Sequence, residues 1–258
     1  MQASDPPAPK ALILAAGRGE RMRPLSDRTP KPLLEVGGRA LVEWHLAALA
    51  LAGVREVVIN TAWLEDQFGP RLGDGSRFGL AIRYSAEGRD HGGALETAGG
   101  IAKALPWLAD DPQQMFWVVS GDIHVPRFDF GAALRSAGAQ RFAQCPDLDA
   151  HLWLVPNPPF HPQGDFGIDE GGFGLADAAG PDGRRWTYAN LALVRPALVA
   201  GIAAGTRAAL GPLLYEGMRR RRISAERYDG PEPVNIGAGA EIGVTLLALV
   251  FSLVFGGT

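Results

Sequence analysis

Short apolar runs alternate with amphipathic stretches along most of the chain. The run at 11–16, Ala-Leu-Ile-Leu-Ala-Ala, is too short for an ordinary helix and is followed at once by Gly17 and Gly19, which predicts a buried parallel strand. Residues 40–53 carry apolar side chains three to four positions apart and end in a glycine, as a helix does. A second strand at 56–60 completes a strand–helix–strand unit that should cross over right-handedly.

The same alternation continues toward the C-terminus. Because ligands gather at the carboxyl ends of strands in open parallel sheets, Asn60, Thr61 and Trp63 are expected near a pocket. A chain of 258 residues with this pattern is expected to form one α/β domain. The further predicted strands cover 80–85, 115–120 and 151–155, and the further predicted helices cover 64–72, a segment that opens near Ala94 and runs through Ala104, and 210–218.

A glycine-rich turn follows the first predicted strand. Glycines allow a ligand to approach the main chain, whose N–H groups can point at phosphate oxygens. Four cations stand in or near this turn, and arginine can hold phosphate with two parallel hydrogen bonds; they are Arg18, Arg21, Arg23 and Lys31. The turn therefore has the chemical character of a polyphosphate-binding loop.

Two familiar glycine motifs do not account for this turn. The dinucleotide fingerprint needs a third glycine or alanine where this chain has Met22, and no acidic residue ends a clean second strand about 20 residues further on. The phosphate loop of the ATPases needs Gly-Lys-Ser or Gly-Lys-Thr, which this turn does not contain.

The bulk composition narrows the classes of partner. A net charge of −3 gives no general surface for nucleic acid. The single cysteine, Cys145, excludes an internal disulfide framework and fits a reducing compartment, so a cytoplasmic protein is expected.

Residues 242–255 are almost wholly apolar but fall short of the ~20 residues that span a bilayer. A buried segment is favoured over a membrane anchor because no basic cluster flanks the stretch closely.

The residues around the turn resemble a known family signature. Residues 14–26 read Leu-Ala-Ala-Gly-Arg-Gly-Glu-Arg-Met-Arg-Pro-Leu-Ser, and 29–33 read Thr-Pro-Lys-Pro-Leu. This is similar to the signature of the sugar-1-phosphate nucleotidyltransferases. The resemblance implies a Rossmann-like, three-layer α/β/α fold with a mostly parallel mixed sheet. It implies a nucleotidyltransferase domain at 11–236, preceded by a flexible tail at 1–10 and followed by an atypical apolar segment at 237–258.

The resemblance also implies a nucleotide site and catalytic roles. Residues 94–101 resemble the family segment that helps enclose the base. Arg21 would contact the leaving β- and γ-phosphates, Lys31 would contact the attacking or α-phosphate, and Asp122, after the strand at 115–120, would be a ligand of Mg²⁺. The implied nucleotide-binding residues are Leu14, Ala15, Ala16, Gly17, Arg18, Gly19, Lys31, Glu96 and Thr97.

A proline-rich segment at 156–166 indicates which branch of the family the chain resembles. It is similar to the Asn-Pro-x-x-His-x-x-Gly-Asp-Phe segment of the N-acetylmuramate-1-phosphate uridylyltransferases, which serve cell-wall recycling. Asp165 would then bind the sugar, Asn157 and His161 would shape the loop, and Ser120 takes the place of an asparagine that relatives use toward the sugar. Asn157, Asp165 and Ser120 are therefore the candidate sugar-phosphate residues. The alternative is a plain surface loop.

One position departs from the family pattern. Relatives carry a second metal-binding aspartate near the end of the domain, and this chain most simply has Asn235 there. Asn235 is therefore the second candidate metal ligand: its amide carbonyl can coordinate a cation, but the amide lacks the charge that holds a hard cation. The implied reaction joins a sugar-1-phosphate, by resemblance N-acetylmuramate-1-phosphate, to an NTP, by resemblance UTP, in a monomer or homodimer. The alternatives are a mannose- or glucose-1-phosphate nucleotidyltransferase and a catalytically weakened nucleotide-binding relative.

Overall fold

Thirteen strands and seven helices are assigned in the computed structural model, which describes residues 8–124, 128–228 and 234–235. The strands are β1 (Ala11–Leu14), β2 (Glu35–Val36), β3 (Arg39–Ala40), β4 (Glu56–Thr61), β5 (Ala81–Ala86), β6 (Phe116–Ser120), β7 (Ile123–His124), β8 (Ala150–Val155), β9 (Gly167–Ile168), β10 (Gly174–Leu175), β11 (Thr187–Val194), β12 (Ile223–Arg227) and β13 (Val234–Asn235). The helices are α1 (Leu41–Leu51), α2 (Phe68–Leu72), α3 (Glu87–His91), α4 (Glu96–Leu108), α5 (Phe130–Leu134), α6 (Ala137–Gln144) and α7 (Gly211–Arg219).

Seven strands form one central sheet in the order β12-β8-β11-β6-β1-β4-β5. Six of them run parallel to one another, and β11 is antiparallel to both of its neighbours, β6 and β8. The predicted mostly parallel mixed sheet is therefore confirmed. The edge strand β12 was not predicted from the sequence, where it follows a basic run at 219–222.

Alternate residues of the central strands pack on opposite faces of the sheet. Ile13 of β1 belongs to the apolar cluster that includes residues of α1, α2, α5 and α6, whereas Leu12 belongs to the cluster that includes residues of α4 and α7. Trp117 and Val118 of β6 divide in the same way. Because neighbouring side chains of a strand point to opposite faces, a strand that is apolar throughout must be covered on both. The result is the three-layer α/β/α arrangement.

Most predicted helices begin and end close to the expected residues. The predicted helix at 40–53 is α1, and Gly53 follows it with a φ of 86°, a backbone conformation that favours glycine. The predicted helix at 64–72 is a 3₁₀ turn at Glu65–Gln67 followed by α2. Helix α4 runs four residues beyond Ala104 and contains Pro106. The apolar segment at 237–258 and residues 1–7 of the predicted tail lie outside the described residues.

No helix in the described part of the chain is both long enough and apolar enough to cross a bilayer.

His45, on α1, is a packed histidine rather than an exposed one. It is 2% exposed, and its Nε2 lies 2.8 Å from the carbonyl oxygen of Ile123 in β7, to which the neutral ring donates a hydrogen bond. Burial lowers the pKa of His45 from 6.5 to about 4. The folded protein therefore keeps this ring neutral at pH values where the unfolded chain protonates it.

The substitution His45→Gln should flatten the pH dependence of stability. In the wild type, lowering the pH from 6.5 toward 4 protonates His45 in the unfolded state but not in the folded state. The free energy of unfolding is therefore highest above pH 6.5 and falls by about 3 kcal/mol between pH 6.5 and 4. The glutamine amide keeps a donor for Ile123 but does not titrate. Urea unfolding at pH 7.5, 6.5 and 5.0 should show the variant losing about 2 kcal/mol less than the wild type between 6.5 and 5.0. Parallel profiles would contradict this role.

Candidate active site

Two adjoining cavities open at the carboxyl ends of the central strands. Leu14 of β1 is in register with Asn60 of β4 on one side and with Ser120 of β6 on the other, so three strand ends meet at one level. The smaller cavity has a volume of about 300 Å³ and the larger one about 730 Å³. The two cavities share four lining residues, which are Leu14, Glu96, Thr97 and Ser120.

The smaller cavity brings together most of the predicted nucleotide-binding residues. Gly19 has a φ of 64°, and a Cβ built there would lie 3.1 Å from Cβ of Lys31, so the turn needs a glycine to pass close to the lysine. The predicted residues that line this cavity are Leu14, Ala15, Ala16, Gly17, Gly19, Lys31, Glu96, Thr97, Ser120 and Asp122.

Lys31 and Asp122 form an ion pair at the wall of the smaller cavity. Nζ of Lys31 donates to Oδ2 of Asp122 over 2.8 Å. The lysine side chain is 5% exposed and the aspartate side chain 40% exposed, so the carboxylate is the more accessible member of the pair. A charge-assisted hydrogen bond of this kind holds the lysine side chain in one position.

Gly121 sets the position of Asp122. Its N–H donates to the carbonyl oxygen of Leu14 over 2.8 Å, and a Cβ at this position would lie 2.9 Å from that oxygen. A glycine is therefore needed where β6 ends against β1. Ile123, the residue after Asp122, lies in β7, and its backbone pairs with that of Asn235 in β13. Asn235, the residue that stands where relatives have their second metal-binding aspartate, therefore lies on the strand next to β7.

The structure does not gather all of the predicted cations at the cavity. The guanidinium carbon of Arg18 lies 4.2 Å from the ring centroid of Trp63, where the arginine lines a third cavity that shares Ala16 with the smaller one. Arg21 is exposed in the 3₁₀ turn Glu20–Met22 and lines neither the smaller nor the larger cavity. Of the cations predicted for phosphate, Lys31 is the one that the described chain places in the wall.

Glu96 stands at the junction of the two cavities in a strained conformation. Its φ of 60° is in the left-handed region, which is unfavourable for residues with a side chain. The segment around Ala208 holds this first turn of α4, because Ala208 donates to the carbonyl oxygen of Leu95 over 2.9 Å and accepts from Ala98 over 3.0 Å. Arg207 also pairs with the Glu96 carboxylate over 2.9 Å. Such strain is often found at ligand sites, where the surrounding contacts maintain it.

The larger cavity contains the predicted sugar-binding carboxylate. Oδ1 of Asp165 lies 3.0 Å from Nε2 of His161, and its Oδ2 accepts the main-chain N–H of Tyr188 over 2.8 Å. These contacts fix the carboxylate while a third of the side chain stays exposed. The rest of the wall mixes apolar and polar groups, as a sugar with a polar edge and an apolar face requires; it includes Val155, Phe160, Phe166, Asn190, Leu214 and Tyr215.

Comparisons with known proteins identify the family. Residues 10–145 match the family model for nucleotidyl transferases. The chain is 47% identical over 222 residues to the N-acetylmuramate alpha-1-phosphate uridylyltransferase of Neisseria meningitidis serogroup B, a match that covers 86% of this chain and 90% of that one. The chain belongs to the nucleotidyl transferase family. The resemblance carried by residues 14–33 is thereby confirmed.

Two further comparisons give a relative and a solved structure that this chain resembles. An N-acetylmuramate alpha-1-phosphate uridylyltransferase of Caulobacter vibrioides is 42% identical over 106 residues, which are 41% of this chain and 43% of that protein. A crystal structure of a Bacillus anthracis protein, provisionally described as a glucose-1-phosphate thymidylyltransferase, superposes with a TM-score of 0.72. That match covers 93% of this chain and 95% of the other at 17% identity, and it establishes the fold.

In this nucleotidyl transferase, Asn157 shapes the loop rather than the cavity. Its Nδ2 donates to the carbonyl oxygens of Pro162 and Arg185 over 3.1 and 3.0 Å, and its Oδ1 accepts from Thr187 over 2.9 Å. Asn157 does not line the larger cavity. Its polar atoms are thus used within the protein, which supports the expected loop-shaping role and not the direct sugar-phosphate contact.

Two site features of this nucleotidyl transferase were not predicted from the sequence. Glu87 is fully buried behind the smaller cavity and hydrogen-bonds Asn60 and the main chain of Leu95. Asn190 lines the larger cavity with a φ of 58°, where the pairing of β11 with β8 is interrupted. Asparagine tolerates this left-handed conformation better than most residues, so an asparagine within an apolar strand was the signal available for the bulge.

Proposed function

We propose that this chain transfers a uridylyl group from UTP to N-acetylmuramate α-1-phosphate, forming the nucleotide sugar and pyrophosphate. The observation that carries the proposal is the 47% identity over 90% of the Neisseria meningitidis relative, whose name specifies that sugar phosphate and that transfer. The two contiguous cavities support it, because a nucleotide and a sugar phosphate must meet at one phosphorus atom.

The reaction needs no covalent protein nucleophile. A phosphate oxygen of the sugar phosphate forms a bond to the α-phosphorus of the nucleotide, the bond from that phosphorus to the β-phosphate oxygen breaks, and pyrophosphate leaves with the electron pair. Such a displacement depends mainly on positioning and on neutralising charge. Lys31 supplies a fixed ammonium at the wall of the smaller cavity and is assigned to the attacking or α-phosphate. Arg21 would contact the leaving β- and γ-phosphates, as the family resemblance implies, although its exposed side chain lines neither cavity.

The donor set around Asp122 fits a magnesium ion shared with the nucleotide. Within the described residues no group of three or more histidine, cysteine and acidic side chains could enclose a metal. Mg²⁺ is commonly held by one or two carboxylates together with substrate phosphates, so a single exposed carboxylate beside a phosphate site suffices. Asp122 would hold the ion, and residue 235 is the second ligand position that the family resemblance implies. When bound, Mg²⁺ would neutralise phosphate charge.

The test is pyrophosphate release by the full chain with UTP, MgCl₂ and a panel of sugar 1-phosphates. We expect turnover with N-acetylmuramate-1-phosphate and a much lower kcat/KM with N-acetylglucosamine-, glucose- and mannose-1-phosphate. A second panel replaces UTP by GTP, ATP and dTTP. Preference for another sugar or base would replace the proposed substrates, and nucleotide binding without release of pyrophosphate would identify a binding protein. A cytoplasmic location and a monomer or homodimer remain expectations.

The substitution Asn235→Asp should strengthen the response to magnesium. The family resemblance implies a metal-binding carboxylate at residue 235, whose strand pairs with the one that directly follows Asp122, so an aspartate there should add a charged ligand for a hard cation. We expect the MgCl₂ concentration for half-maximal rate to fall about tenfold. Gln140→Glu adds a negative charge on the exposed side of α6, outside both cavities, and should leave this concentration unchanged. An unchanged response in the Asn235→Asp variant would show that another group completes the site.

A further inference from the structure

Two buried polar side chains form a hydrogen-bonded bridge at the back of the smaller cavity, whose lining includes Asn60 but not Glu87. Asn60, at the end of β4, is 2% exposed, and Glu87, at the start of α3, is fully buried. Oδ1 of Asn60 accepts the main-chain N–H of Ala15, and its Nδ2 donates to Oε1 of Glu87, each over 2.7 Å. Oε2 of Glu87 accepts the main-chain N–H of Leu95, also over 2.7 Å. We call these residues the Asn60–Glu87 bridge.

The bridge connects two of the segments that line the smaller cavity. Ala15 belongs to the glycine-rich turn, and Leu95 directly precedes Glu96, which lines the same cavity. Helix α4 also fits around the bridge, because a Cβ built on Gly100 would lie 2.6 Å from Nδ2 of Asn60 and 2.7 Å from Oε1 of Glu87. The distance between the Ala15 and Leu95 segments is therefore fixed by two side chains. Asn60 holds the backbone of Ala15 from 45 residues away in the sequence, and Glu87 holds the backbone of Leu95 from 8 residues away.

The chemistry of the bridge requires one amide and one carboxylate. Both ends are N–H donors, so the two side chains must present an acceptor outward at each end and a donor–acceptor pair between them. Two amides always leave one donor facing another donor. Two ionised carboxylates leave acceptor facing acceptor, with like charges in contact. Asn60 with Glu87 satisfies all three bonds, and so would the reversed order of carboxylate and amide that Asn60→Asp and Glu87→Gln produce together.

The bridge is a costly way to stabilise a fold. Burial raises the pKa of Glu87, which reflects the cost of removing a carboxylate from water. Well-packed apolar residues often stabilise a protein as well as a buried polar pair or better. Both ends of this bridge are main-chain groups beside a ligand cavity. We therefore expect its main effect to be on the positions of these main-chain groups rather than on the stability of the fold.

We propose that the Asn60–Glu87 bridge is a positioning device that sets the affinity of the smaller cavity for its nucleotide. It acts through the main chains of Ala15 and Leu95, and the polar atoms of both side chains are used within the bridge. The proposal rests on the proposed function in taking the ligand to be a nucleoside triphosphate. It predicts that nucleotide affinity follows the donor–acceptor pattern of the two residues and not their individual identities.

The test is a double-mutant cycle on the full chain: Glu87→Gln, Asn60→Asp and the double variant Asn60→Asp/Glu87→Gln. UTP binding is measured by calorimetry at pH 8 without sugar phosphate, and KM is measured separately for both substrates. Each single variant leaves one donor or acceptor mismatched, so we expect its Kd for UTP to rise about tenfold. The KM for the sugar phosphate should change less than twofold, and the double variant should bind UTP within about threefold of the wild type.

A matched control separates positioning from a general loss of stability. Ser224→Ala removes another buried hydrogen bond, the 2.9 Å contact of its Oγ with Nδ1 of His151, on edge strand β12 at the far side of the sheet from β4. It should lower Tm without changing the Kd for UTP. Wild-type affinity in Glu87→Gln, no rescue in the double variant, or equal rises in both KM values would overturn the proposal.

The calorimetric measurement of UTP binding separates a failure of this proposal from a failure of the proposed function. If the wild type binds UTP but turns over no sugar phosphate, the proposed function fails while the cycle still shows whether the bridge controls affinity. If another of the four nucleotides binds in place of UTP, the cycle is run with that one and the same pattern of loss and rescue is expected. If the wild type binds none of them, the positioning role is overturned as well.

Discussion

Replacing Lys31 by methionine should lower kcat/KM for nucleotide transfer about 10²- to 10³-fold, the loss typical of removing one preorganised group that stabilises developing charge. Methionine keeps the apolar stem of the side chain and is shorter only by the terminal ammonium, so the 3₁₀ turn Lys31–Leu33 should keep its packing. What is lost is the ammonium at the wall of the smaller cavity. Steady-state pyrophosphate release and UTP calorimetry would separate the loss of turnover from the loss of binding.

The control for Lys31→Met is Lys10→Met. Lys10 precedes the same strand, β1, at its amino end, and its Nζ lies 3.7 Å from Asp110. This ion pair is more exposed than the pair of Lys31 with Asp122, and it lies away from the carboxyl ends where the cavities open. Lys10→Met should retain the wild-type rate within about twofold, as surface substitutions usually do. Full activity in Lys31→Met would remove the lysine from the mechanism.

The parts of the fold that the sequence predicted correctly are those with local causes. Residues 11–16 are apolar and stop at glycines, so both the strand and the turn after it can be read without knowing any distant contact. The end of α1 at Gly53 is equally local, because a positive φ favours glycine. Strand β12 carries little local signal because it is short and follows a run of arginines. Its partner, β8, lies some 70 residues earlier in the chain.

The sequence predicted the parts of the cavity wall that are formed by main-chain groups, and it missed the parts where side chains from distant segments contact each other. Alanines and glycines at 15–19 form part of the wall of the smaller cavity, as their types indicated. Arg18 was expected to contact the nucleotide, but its stacking on Trp63 depends on a neighbouring strand end. Glu87 gives no local signal at all. An acidic residue after a strand reads as surface, and only the folded chain shows that two distant N–H groups require it.

Lys31 and Asp122 should behave as one unit rather than as two independent groups. They contact each other directly, and groups that act together show strongly non-additive effects on turnover. Adding Asp122→Asn to Lys31→Met should therefore cost far less than the product of the two single losses. If the losses multiplied, the pair would not share a function at the wall of the smaller cavity.

Asp122→Asn is expected to remove turnover and the response of nucleotide binding to magnesium together. An amide can accept hydrogen bonds but lacks the negative charge that a hard cation requires, and metal assistance in such reactions contributes several kcal/mol to the barrier. We therefore expect kcat/KM to fall about 10³-fold. UTP should bind more tightly with MgCl₂ than with EDTA in the wild type, and the variant should show no such difference.

The control is Asp110→Asn, which makes the same change in the exposed pair with Lys10 and should keep both the rate and the magnesium response. The unfolding temperature must be measured as well, because Asp122→Asn leaves the buried Lys31 ammonium without its carboxylate and should destabilise the protein. Rates are then compared well below that temperature. A variant that is folded and inactive, but still binds UTP more tightly with magnesium, would move the metal ligand away from Asp122 and leave the carboxylate with the single task of orienting Lys31.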